Sequence, residues 1–312
     1  MTGPGAPRIA ILLAARNGAA HVRGQLDSFV TQSLPPALVL VGDDGSTDAT
    51  RAIVSEFAAA NPDLPLRIMP GPRRGASQNF LALLRAVPPQ IEMVALSDQD
   101  DVWLPERLAH GAAALSGADP GIPTLFTSRT LVCDADLKVR APSRLPHRPP
   151  GFRHALVQNI AGGNTFLLNR AAVDLLQAAS VEPRKVVVHD WWIYQLITGC
   201  GGRVIYDPTP LILYRQHGGN LIGANEGLSA KGRRLRLMLA GRFRRWNTIN
   251  VLALRASEHR LTPENRAILA DFATRRSAGL LDRVRMLNRN GLYRQDLPGN
   301  LSLWAAAVLG RL

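Results

Sequence analysis

The sequence contains very little cysteine and no long apolar segment, and each absence narrows the class of protein. Its 312 residues include 2 cysteines, Cys133 and Cys200, which lie far apart and form no Cys-x-x-Cys pair. This spacing excludes a disulfide framework, suggests no zinc site and fits a reducing cytosol. No segment reaches the roughly 18 to 20 apolar residues that a membrane-spanning helix needs. We therefore expect a protein that is soluble or peripherally attached to a membrane.

The sequence also lacks the motifs of two classes of protein, although its charge favours anionic partners. It carries 37 Lys and Arg against 24 Asp and Glu, a formal net charge of +13. Such a charge favours nucleotides, phosphates or anionic lipid headgroups. No Gly-x-Gly-x-x-Gly follows the first apolar run and no Walker A lysine loop occurs, which argues against a nucleotide-dependent oxidoreductase. Neither aromatic RNP motifs nor zinc-finger spacing is present, so we expect no nucleic-acid partner.

Strand and helix patterns alternate along the first 120 residues. Short apolar runs predict four strands, at Ile9–Ala15, Ala37–Val41, Leu66–Met69 and Met93–Leu96. The first of these runs is at the short limit for the apolar core of a signal peptide, and no convincing cleavage site follows it, so a buried strand is expected. Apolar residues at helical spacing predict a helix after each of the first three strands, the first over Ala19–Gln32. The alternation indicates an α/β fold with a mostly parallel central sheet and helices on both faces.

The character of the sequence changes after about residue 120. The segments Thr124–Cys133 and Leu137–Val139 predict a hairpin, and Phe166–Leu168 predicts another strand. Two further short strands are expected at Arg203–Tyr206 and Leu211–Tyr214. Beyond about residue 226 only helical patterns remain.

Three polar loops, at Arg16-Asn17, Asp43-Asp44 and Asp98 to Asp100, each follow a predicted strand. Ligands of parallel sheets bind beyond the carboxyl ends of the strands, so these loops should share one rim. The last loop places three carboxylates within four residues, and their repulsion needs a compensating cation or donor-rich ligand. On an extended backbone Asp98 and Asp100 project to the same side, which suits Mg²⁺ or Mn²⁺. The alternative is an acidic turn that caps the next helix.

Five motifs occur along the chain in the order of a known family. They are Ala15-Arg16-Asn17-Gly18, Gly42-Asp43-Asp44-Gly45-Ser46-Thr47-Asp48, Ser97-Asp98-Gln99-Asp100-Asp101-Val102-Trp103, His189-Asp190-Trp191-Trp192 and Tyr214-Arg215-Gln216-His217-Gly218-Gly219-Asn220. Together they resemble the family 2 glycosyltransferases with the GT-A (Rossmann-like) fold, particularly the bacterial rhamnosyltransferase-like members. The resemblance implies a catalytic domain over 1–225, with a nucleotide-binding half to about 120 and an acceptor-binding half over 121–225. A basic amphipathic helical extension would occupy 226–312.

The resemblance implies that Asp98-x-Asp100 is the metal motif of such an enzyme. Asp100 would be the direct ligand of Mg²⁺ or Mn²⁺, and Asp98 would lie nearer the sugar or the ribose. A divalent ion at this position neutralises the diphosphate of the donor and stabilises it as a leaving group.

The resemblance also implies which residues contact the nucleotide. Either Asp43 or Asp44 would accept hydrogen bonds from the nucleobase and ribose, with Asp43 the first choice, while Asp48 caps the following helix. Ala15 and Arg16 would flank the base, unless Arg16 is a surface charge. The other expected donor contacts are Asn17, Arg74, Asn79 and Gln99. Asn79 has the alternative of being an ordinary helix residue.

Asp190 is the expected general base, because inversion at an anomeric carbon requires deprotonation of the acceptor hydroxyl. His189 precedes it where many members of the family carry Glu, which puts an auxiliary carboxylate in doubt. The alternative for Asp190 is a helix cap beside a buried tryptophan pair. Trp191 and Trp192 either stack on a sugar ring or pack in the core. Gly163 and Asn164 are further candidates for acceptor or sugar contacts.

Arg215 and His217 follow the last predicted strand. An arginine is suited to clamping a diphosphate, and His217 would complete the metal shell or serve a structural role. The expected activity is transfer of a sugar, L-rhamnose from dTDP-rhamnose by resemblance, to a hydroxyl of a cell-surface polysaccharide or lipid-linked glycan. A UDP-hexose or UDP-N-acetylhexosamine donor is the alternative, and a non-catalytic glycan-binding relative is the alternative of another class.

The segment Lys231–Arg245 interleaves basic residues with Leu235, Leu239, Phe243 and Trp246. Such a helix either lies in a membrane interface or packs on the catalytic domain with a solvated basic face. The apolar end, Leu301–Leu312, has the same two alternatives. An anionic membrane surface is therefore an expected partner, with the protein cytoplasmic or peripheral on the inner face of the plasma membrane.

Overall fold

The computed structural model of the chain describes residues 5–216 and 241–312. Contacts between residues divide the chain into two units. The first, called the sheet unit, comprises Met1–Leu145, Ala161–Ser180 and Gly202–Leu221. The second, called the helical unit, comprises Pro146–Ile160, Val181–Gly201 and Ile222–Leu312. Residues 121–225 thus contribute to both units, and the division near residue 225 stays a prediction.

The strands are β1 (Ile9–Ala15), β2 (Leu38–Asp43), β3 (Leu66–Pro70), β4 (Met93–Ser97), β5 (Val102–Trp103), β6 (Thr124–Cys133), β7 (Val139–Pro142), β8 (Leu167–Asn169) and β9 (Arg203–Arg215). The helices are α1 (Val22–Val30), α2 (Thr50–Ala60), α3 (Ala76–Arg85), α4 (Arg107–Ser116), α5 (Phe152–Ala155), α6 (Arg170–Ala179), α7 (His189–Gly199), α8 (Arg242–Ala256), α9 (Pro263–Arg275), α10 (Leu280–Arg289) and α11 (Leu297–Val308). Short 3₁₀ turns cover Gly163–Thr165 and Glu258–Arg260.

One mixed sheet forms the sheet unit, with strand order β3-β2-β1-β4-β8-β6-β9-β5 and β7 paired with β6. The first four strands in this order are all parallel, as the alternating pattern predicted. β1 is buried along its whole length, which requires cover on both faces of the sheet. Ile9, Ile11 and Leu13 alternate along it and share an apolar core with Leu26 and Phe29 of α1. The parallel half therefore ends its strands at one rim, where the polar loops begin.

The other half of the sheet differs from the sequence prediction. The two short strands expected at Arg203–Tyr206 and Leu211–Tyr214 are one strand, β9, which runs parallel to β6. The register of this pair shifts between two consecutive residues of β6: Ser128 is paired with Asp207, whereas Arg129 is paired with Pro210. Proline cannot donate to a ladder, so the apolar pattern breaks there while a bulge keeps the strand continuous.

Residues 98–101, called the acidic loop, connect β4 to a strand, β5, that the sequence pattern did not predict. β5 contains 2 residues and pairs antiparallel with β9, Val102 opposite Leu213 and Trp103 opposite Ile212. A strand of this length carries no periodic signal. Its pairing makes the loop between β4 and β5 a tight connection between two hydrogen-bonded elements.

α7 is the most buried helix of the helical unit. All of its residues except Asp190 are buried, including Trp192 and Tyr194 at 0% exposure. A helix that is apolar on every side belongs in an interior rather than at a surface. The hydroxyl of Tyr194 lies 2.9 Å from Nδ1 of His154, which is also fully buried. Within the described residues, no helix has the length and apolarity that crossing a membrane requires.

Gly111 of α4 has no room for a larger side chain. A Cβ built there would lie 2.8 Å from Leu167 and 3.2 Å from Phe126, both buried. We expect Gly111→Ala to lower the free energy of unfolding by about 1 kcal/mol or more, because overpacking outweighs the gain in helix propensity. Gly24 of α1 has nothing within 4 Å, so the matched Gly24→Ala should instead stabilise the protein by about 0.5–1 kcal/mol. Urea unfolding measures both changes, and a stabilised Gly111→Ala protein would contradict the packing described.

Two buried histidines predict a loss of stability in mild acid. Burial lowers the pKa of His189 to about 3 and that of His154 to about 4. In the unfolded chain both pKa values return to about 6.5, so the unfolded state binds protons that the folded state excludes. Stability is therefore fully present above about pH 6.5 and falls as the pH drops toward 4. The slope is at most about 1.4 kcal/mol per pH unit for each histidine.

Urea unfolding between about pH 7 and about pH 4.5 checks this dependence. His154→Gln should remove part of the acid sensitivity relative to the unsubstituted protein. His147 is exposed, and His147→Gln should leave the slope unchanged. Equal slopes for all three proteins would show that burial of His154 does not carry the effect.

Candidate active site

The loop that follows β4 brings three carboxylates together. Asp98 and Asp100 are half-buried, whereas Asp101 is only 1% exposed. One carboxylate oxygen from each of the three lies within 4.8 Å of the others. These hard oxygen donors fit Mg²⁺ or Mn²⁺ by type, whereas sulfur and imidazole donors would favour softer metals. The spacing of Asp98 and Asp100 predicted their convergence, and the structure adds Asp101 to the group.

Asp101 is held by two hydrogen bonds from two distant segments of the chain. Its Oδ2 accepts from the side-chain amide of Asn164 at 2.5 Å, and its Oδ1 accepts from the backbone N–H of Arg215 at 3.2 Å. Burial, together with the neighbouring charge of Asp100, raises the pKa of Asp101 to about 7. The hydrogen bonds and the nearby Arg107 oppose this rise. Asp101 therefore ties the acidic loop to the turn at Gly163–Thr165 and to the end of β9.

Arg107 lies beneath the same loop and was not predicted as a site residue. It is 2% exposed, and its guanidinium donates to the carbonyl of Asn164 at 2.6 Å and that of Leu96 at 3.4 Å. Its Cζ stands 3.6 Å from the ring centroid of Trp103, a favourable cation–π contact. Burial lowers the pKa of Arg107 to about 9, against the opposing effect of Asp101. A single arginine in a helical pattern ordinarily indicates a solvent-exposed helix face. In the sequence, only the three neighbouring aspartates could have indicated that Arg107 is buried beside them.

Arg215 spans the acidic loop from the other side. Its Nε donates to the carbonyl of Asp100 at 3.0 Å, and its guanidinium also donates to the carbonyl of Ala135. Contact of Arg215 with a diphosphate stays a prediction. His217, the other residue expected from this motif, lies outside the described residues.

Gln99 joins the loop after β1 to the acidic loop. Its Oε1 accepts from the backbone N–H of Arg16 at 2.9 Å, and its Nε2 donates to the carbonyl of Arg16 at 3.1 Å. A Cβ at Gly18 would come within 2.2 Å of Gln99, so only glycine leaves room for this bridge. The amide expected to contact the donor is thus engaged with backbone, while the side chain of Arg16 is exposed.

The loops after β1 and β2 are also joined by hydrogen bonds. Asn17 donates its backbone N–H to the hydroxyl of Ser46 at 3.0 Å and accepts from the N–H of Thr47 at 2.8 Å. Asp48 accepts from the N–H of Thr50, the first residue of α2, at 3.0 Å. Asp48 thus accepts from the first N–H of α2, although the cap position itself is Ala49, which makes no side-chain cap bond. Ala15, at the end of β1, is buried, with 2% exposure.

Asp43 and Asp44 lie at the end of β2 and are both buried. Asp43 accepts from the backbone N–H of Ser46 at 3.2 Å. Asp44 accepts from the N–H of Gly75 at 2.7 Å through one oxygen. Its other oxygen, Oδ1, is buried and has no hydrogen-bond partner among the described residues. A buried acceptor left in this way costs free energy unless a ligand or water satisfies it.

Asn79 and Arg74 lie near this end of β2 but in different surroundings. Asn79 is 1% exposed and donates from Nδ2 to the carbonyl of Gly42 at 2.6 Å. Its Oδ1 is buried without a partner in the part of the chain that the structure describes. Arg74 is exposed. Asn79 therefore supports the strand end directly, and donor contact by either residue stays a prediction.

Asp190 lies in the first turn of α7, in the helical unit. It is half-buried, and its Oδ1 accepts from the backbone N–H of Trp191 at 2.6 Å. This contact places a negative charge at the N-terminus of the helix, where the helix dipole favours it. The geometry matches the capping alternative in part, and the role as general base stays a prediction.

The residues expected to contact the acceptor are mostly buried. Trp191 is 4% exposed, donates its indole N–H to the carbonyl of Ala155 at 2.6 Å and packs edge-on against Trp246. Trp192 is 0% exposed, so core packing, not sugar stacking, describes this pair. In the sheet unit, Asn164 is 3% exposed and bonded to Asp101. It therefore supports the acidic loop and offers no open surface to a sugar, and Gly163 is buried beside it.

The segment Lys231–Arg245, predicted to be amphipathic, lies largely outside the described residues. Its described part opens α8 with Arg242, whose Cζ stands 4.3 Å from the ring centroid of Trp246. Trp246 also contacts Trp191, which agrees with packing on the protein, one of the two alternatives for this segment, at this tryptophan. In α11, Leu303 is buried whereas Leu301 is 62% exposed, so the apolar end is only partly packed.

Comparisons with known proteins agree with this architecture. A family model described as Glycosyl transferase family 2 matches residues 10–163. The dTDP-rhamnosyl transferase RfbG of Shigella flexneri is 26% identical over 239 residues, which cover 72% of this chain and 78% of RfbG.

Two solved glycosyltransferases have the same fold. The mannosyltransferase PcManGT of Pyrobaculum calidifontis, solved with GDP-Man and Mn²⁺, aligns with a TM-score of 0.52 and 20% identity, covering 98% of this chain and 86% of PcManGT. S. aureus TarS 1-349, solved with UDP-GlcNAc, aligns with a TM-score of 0.57 and 13% identity, covering 97% of this chain and 90% of TarS. At these identities the likeness shows the fold alone. The family model and the rhamnosyltransferase relative identify residues 10–163 as a family 2 glycosyltransferase domain, and the solved structures share its GT-A fold.

Proposed function

We propose that this glycosyltransferase moves a sugar from a nucleoside diphosphate to a glycan hydroxyl with inversion, using a divalent cation held by the acidic loop. The observation that carries the proposal is the convergence of Asp98, Asp100 and Asp101, whose carboxylate oxygens lie within 4.8 Å at the end of β4. Three acids this close repel one another strongly without a positive charge between them.

Asp98 and Asp100 are the residues that would hold the cation, as Mg²⁺ or Mn²⁺. When bound, such an ion neutralises charge on the donor diphosphate and on the leaving nucleotide. The position of these carboxylates would place the ion, and with it the diphosphate end of the donor, at the rim of the sheet. Support for the ion class comes from the all-oxygen donor set and from PcManGT, which was solved with Mn²⁺.

The nucleoside would bind to the loops after β1 and β2. The buried oxygen of Asp44 that lacks a partner among the described residues could accept a hydrogen bond from a ribose hydroxyl or a pyrimidine N–H. Asp43, one residue earlier, lies 3.9 Å from Nε of Arg51 and remains the other candidate. Arg16 and Ala15 would border the base.

Asp190 would act as the general base toward the acceptor hydroxyl. Its carboxylate is half-buried at the start of α7, where the buried helix behind it holds the backbone rigidly. A positioned carboxylate of this kind removes the hydroxyl proton as the new glycosidic bond forms. The side-chain oxygen that accepts from Trp191 keeps the carboxylate oriented.

The donor we propose is dTDP-L-rhamnose. The support is the likeness to RfbG, a dTDP-rhamnosyl transferase that aligns with 72% of this chain. A UDP-linked hexose or N-acetylhexosamine is the competing donor, since S. aureus TarS was solved with UDP-GlcNAc.

The acceptor we propose is a lipid-linked or cell-surface glycan. Contact with an anionic membrane would bring the enzyme to such an acceptor. Exposed apolar side chains on α10 and α11, with the arginines of the same segment, support this placement. The exposed apolar residues are Leu280, Leu281, Leu297, Leu301 and Val308.

Substitution of the two proposed catalytic elements should separate their roles. Asp190→Asn should lower kcat by about 10²- to 10⁴-fold, because the general base is lost while the donor site remains. Its KM for the donor should stay nearly unchanged. Asp100→Asn should instead abolish stimulation by Mn²⁺. Initial rates of nucleoside diphosphate release, together with calorimetric titration of the donor, measure both effects.

The control for these variants is Asp63→Asn, which replaces an exposed carboxylate after α2 and should keep wild-type rates. Full turnover by Asp190→Asn would eliminate this residue as the base. Full Mn²⁺ stimulation of Asp100→Asn would eliminate the acidic loop as the cation site.

A panel of donors tests the sugar nucleotide. Purified enzyme with Mn²⁺ should hydrolyse or transfer from dTDP-L-rhamnose faster than from UDP-glucose, UDP-GlcNAc or GDP-mannose. The expected reason is the similarity to the dTDP-rhamnosyl transferase RfbG over 72% of this chain. Turnover confined to a UDP-sugar would overturn the rhamnose assignment and leave the proposed roles of Asp100 and Asp190 intact.

A further inference from the structure

Asp101 occupies a different environment from the two acids before it. It is 1% exposed, whereas Asp98 and Asp100 are half-buried. Each of its oxygens already accepts a hydrogen bond, one from the Asn164 amide and one from the backbone N–H of Arg215. A carboxylate committed in this way to two protein donors differs from one that presents its oxygens to a ligand.

We propose that Asp101 is a positioning residue, acting with Asn164 and Arg107 to aim the carboxylates of Asp98 and Asp100 at one cation. This inference rests on the proposed function, because it concerns the support of the proposed cation site. Residues behind metal ligands commonly orient them through such hydrogen bonds, and their loss reduces metal affinity without removing a ligand.

The hydrogen bonds of Asp101 fix the acidic loop on both sides. The Asn164 amide, on the 3₁₀ turn before β8, holds it at 2.5 Å, and the backbone of Arg215, at the end of β9, holds it at 3.2 Å. Arg215 also donates from Nε to the carbonyl of Asp100 at 3.0 Å. The backbone that follows the Asp100 side chain is therefore held at its carbonyl and through Asp101, which restricts the directions in which that side chain can point.

Asn164 transmits this support because both of its polar ends are engaged. Its side-chain amide donates to Asp101, and its backbone carbonyl accepts from Arg107 at 2.6 Å. Arg107 also donates to the carbonyl of Leu96, near the end of β4, at 3.4 Å. The chain of contacts thus closes a ring from β4 through Arg107 and Asn164 back to the acidic loop.

Arg107 also makes a buried carboxylate tolerable. Removing a charge from water costs several kcal/mol unless an opposite charge and hydrogen bonds replace the solvent. The guanidinium lies against Trp103 at 3.6 Å from the ring centroid, which keeps it in place beside Asp101. A cation held by Asp98 and Asp100 and the guanidinium near Asp101 would together offset the negative charge of the acidic cluster.

A double-mutant cycle on metal affinity tests this role. The titrant is Mn²⁺, followed as free ion by electron paramagnetic resonance, in the presence of saturating dTDP and, in parallel, saturating UDP. Asp101→Asn and Asn164→Ala should each weaken Mn²⁺ binding by about 10- to 100-fold. The double variant should be no weaker than the more severe single variant, because both substitutions break the same link. Asp100→Asn should lose Mn²⁺ binding, and Asp63→Asn should bind as the unsubstituted protein does.

Asn164→Ala is the decisive variant because it removes no carboxylate. Should Asp101→Asn fail to fold, Asn164→Ala and Arg107→Lys carry the test, with the thermal midpoint recorded for each. Unchanged Mn²⁺ affinity in folded Asn164→Ala would overturn the proposal. So would loss of binding in Asp101→Asn as complete as in Asp100→Asn, since Asp101 would then be a ligand.

The outcomes also separate this inference from the proposed function. If the unsubstituted protein binds no Mn²⁺ with either nucleotide, the cation site and its support both fail. If Asp98→Asn and Asp100→Asn lose binding while Asn164→Ala keeps it, the cation site stands and only the positioning role is rejected.

Discussion

Repulsion among three carboxylates at the end of a buried strand is the constraint on which the active-site rim depends. The strand brings Asp98, Asp100 and Asp101 to the sheet edge, where their charges and the loss of water around Asp101 oppose folding. The protein offsets part of this cost with a buried arginine and with amide donors from distant segments. The remaining half-buried acids still face one another within 4.8 Å. A fold that keeps such a cluster gives up stability for it, as functional sites commonly do.

The parallel half of the sheet followed from the sequence because burial alone determines it. β1 spans Ile9–Ala15, as predicted, because a continuous apolar run is bounded by Arg8 and Arg16. The second half could not be predicted as well, since its order depends on pairings between distant segments. The irregularity near Pro210 interrupts the apolar pattern, so β9 could not be recognised as one strand. Each of the two units is built from several separate segments of the chain, and amino-acid composition does not indicate such a division.

The candidate site likewise contains residues that the sequence predicted and residues that it did not. The acids and their order along the chain were evident from the motifs, but their partners were not. Asn164 lies 63 positions after Asp101, and nothing local indicates that its amide would reach back to the acidic loop. Gln99 and Trp192 also belong to recognised motifs, but in the structure Gln99 bonds to the backbone of Arg16 and Trp192 packs in the core. A motif thus identifies where chemistry is concentrated, while the tertiary structure determines which of its side chains face a ligand.

The bridge made by Gln99 has a mechanical consequence. Its side-chain amide is hydrogen-bonded to both backbone polar groups of Arg16. Gly18 lies so close that a Cβ there would come within 2.2 Å of Gln99. The first and fourth strands are adjacent in the sheet, so their outgoing loops are fastened at the base by β-ladder bonds and at the tip by this one side chain. A displacement of either loop must therefore move the other loop as well, unless both hydrogen bonds between the Gln99 amide and the Arg16 backbone break first.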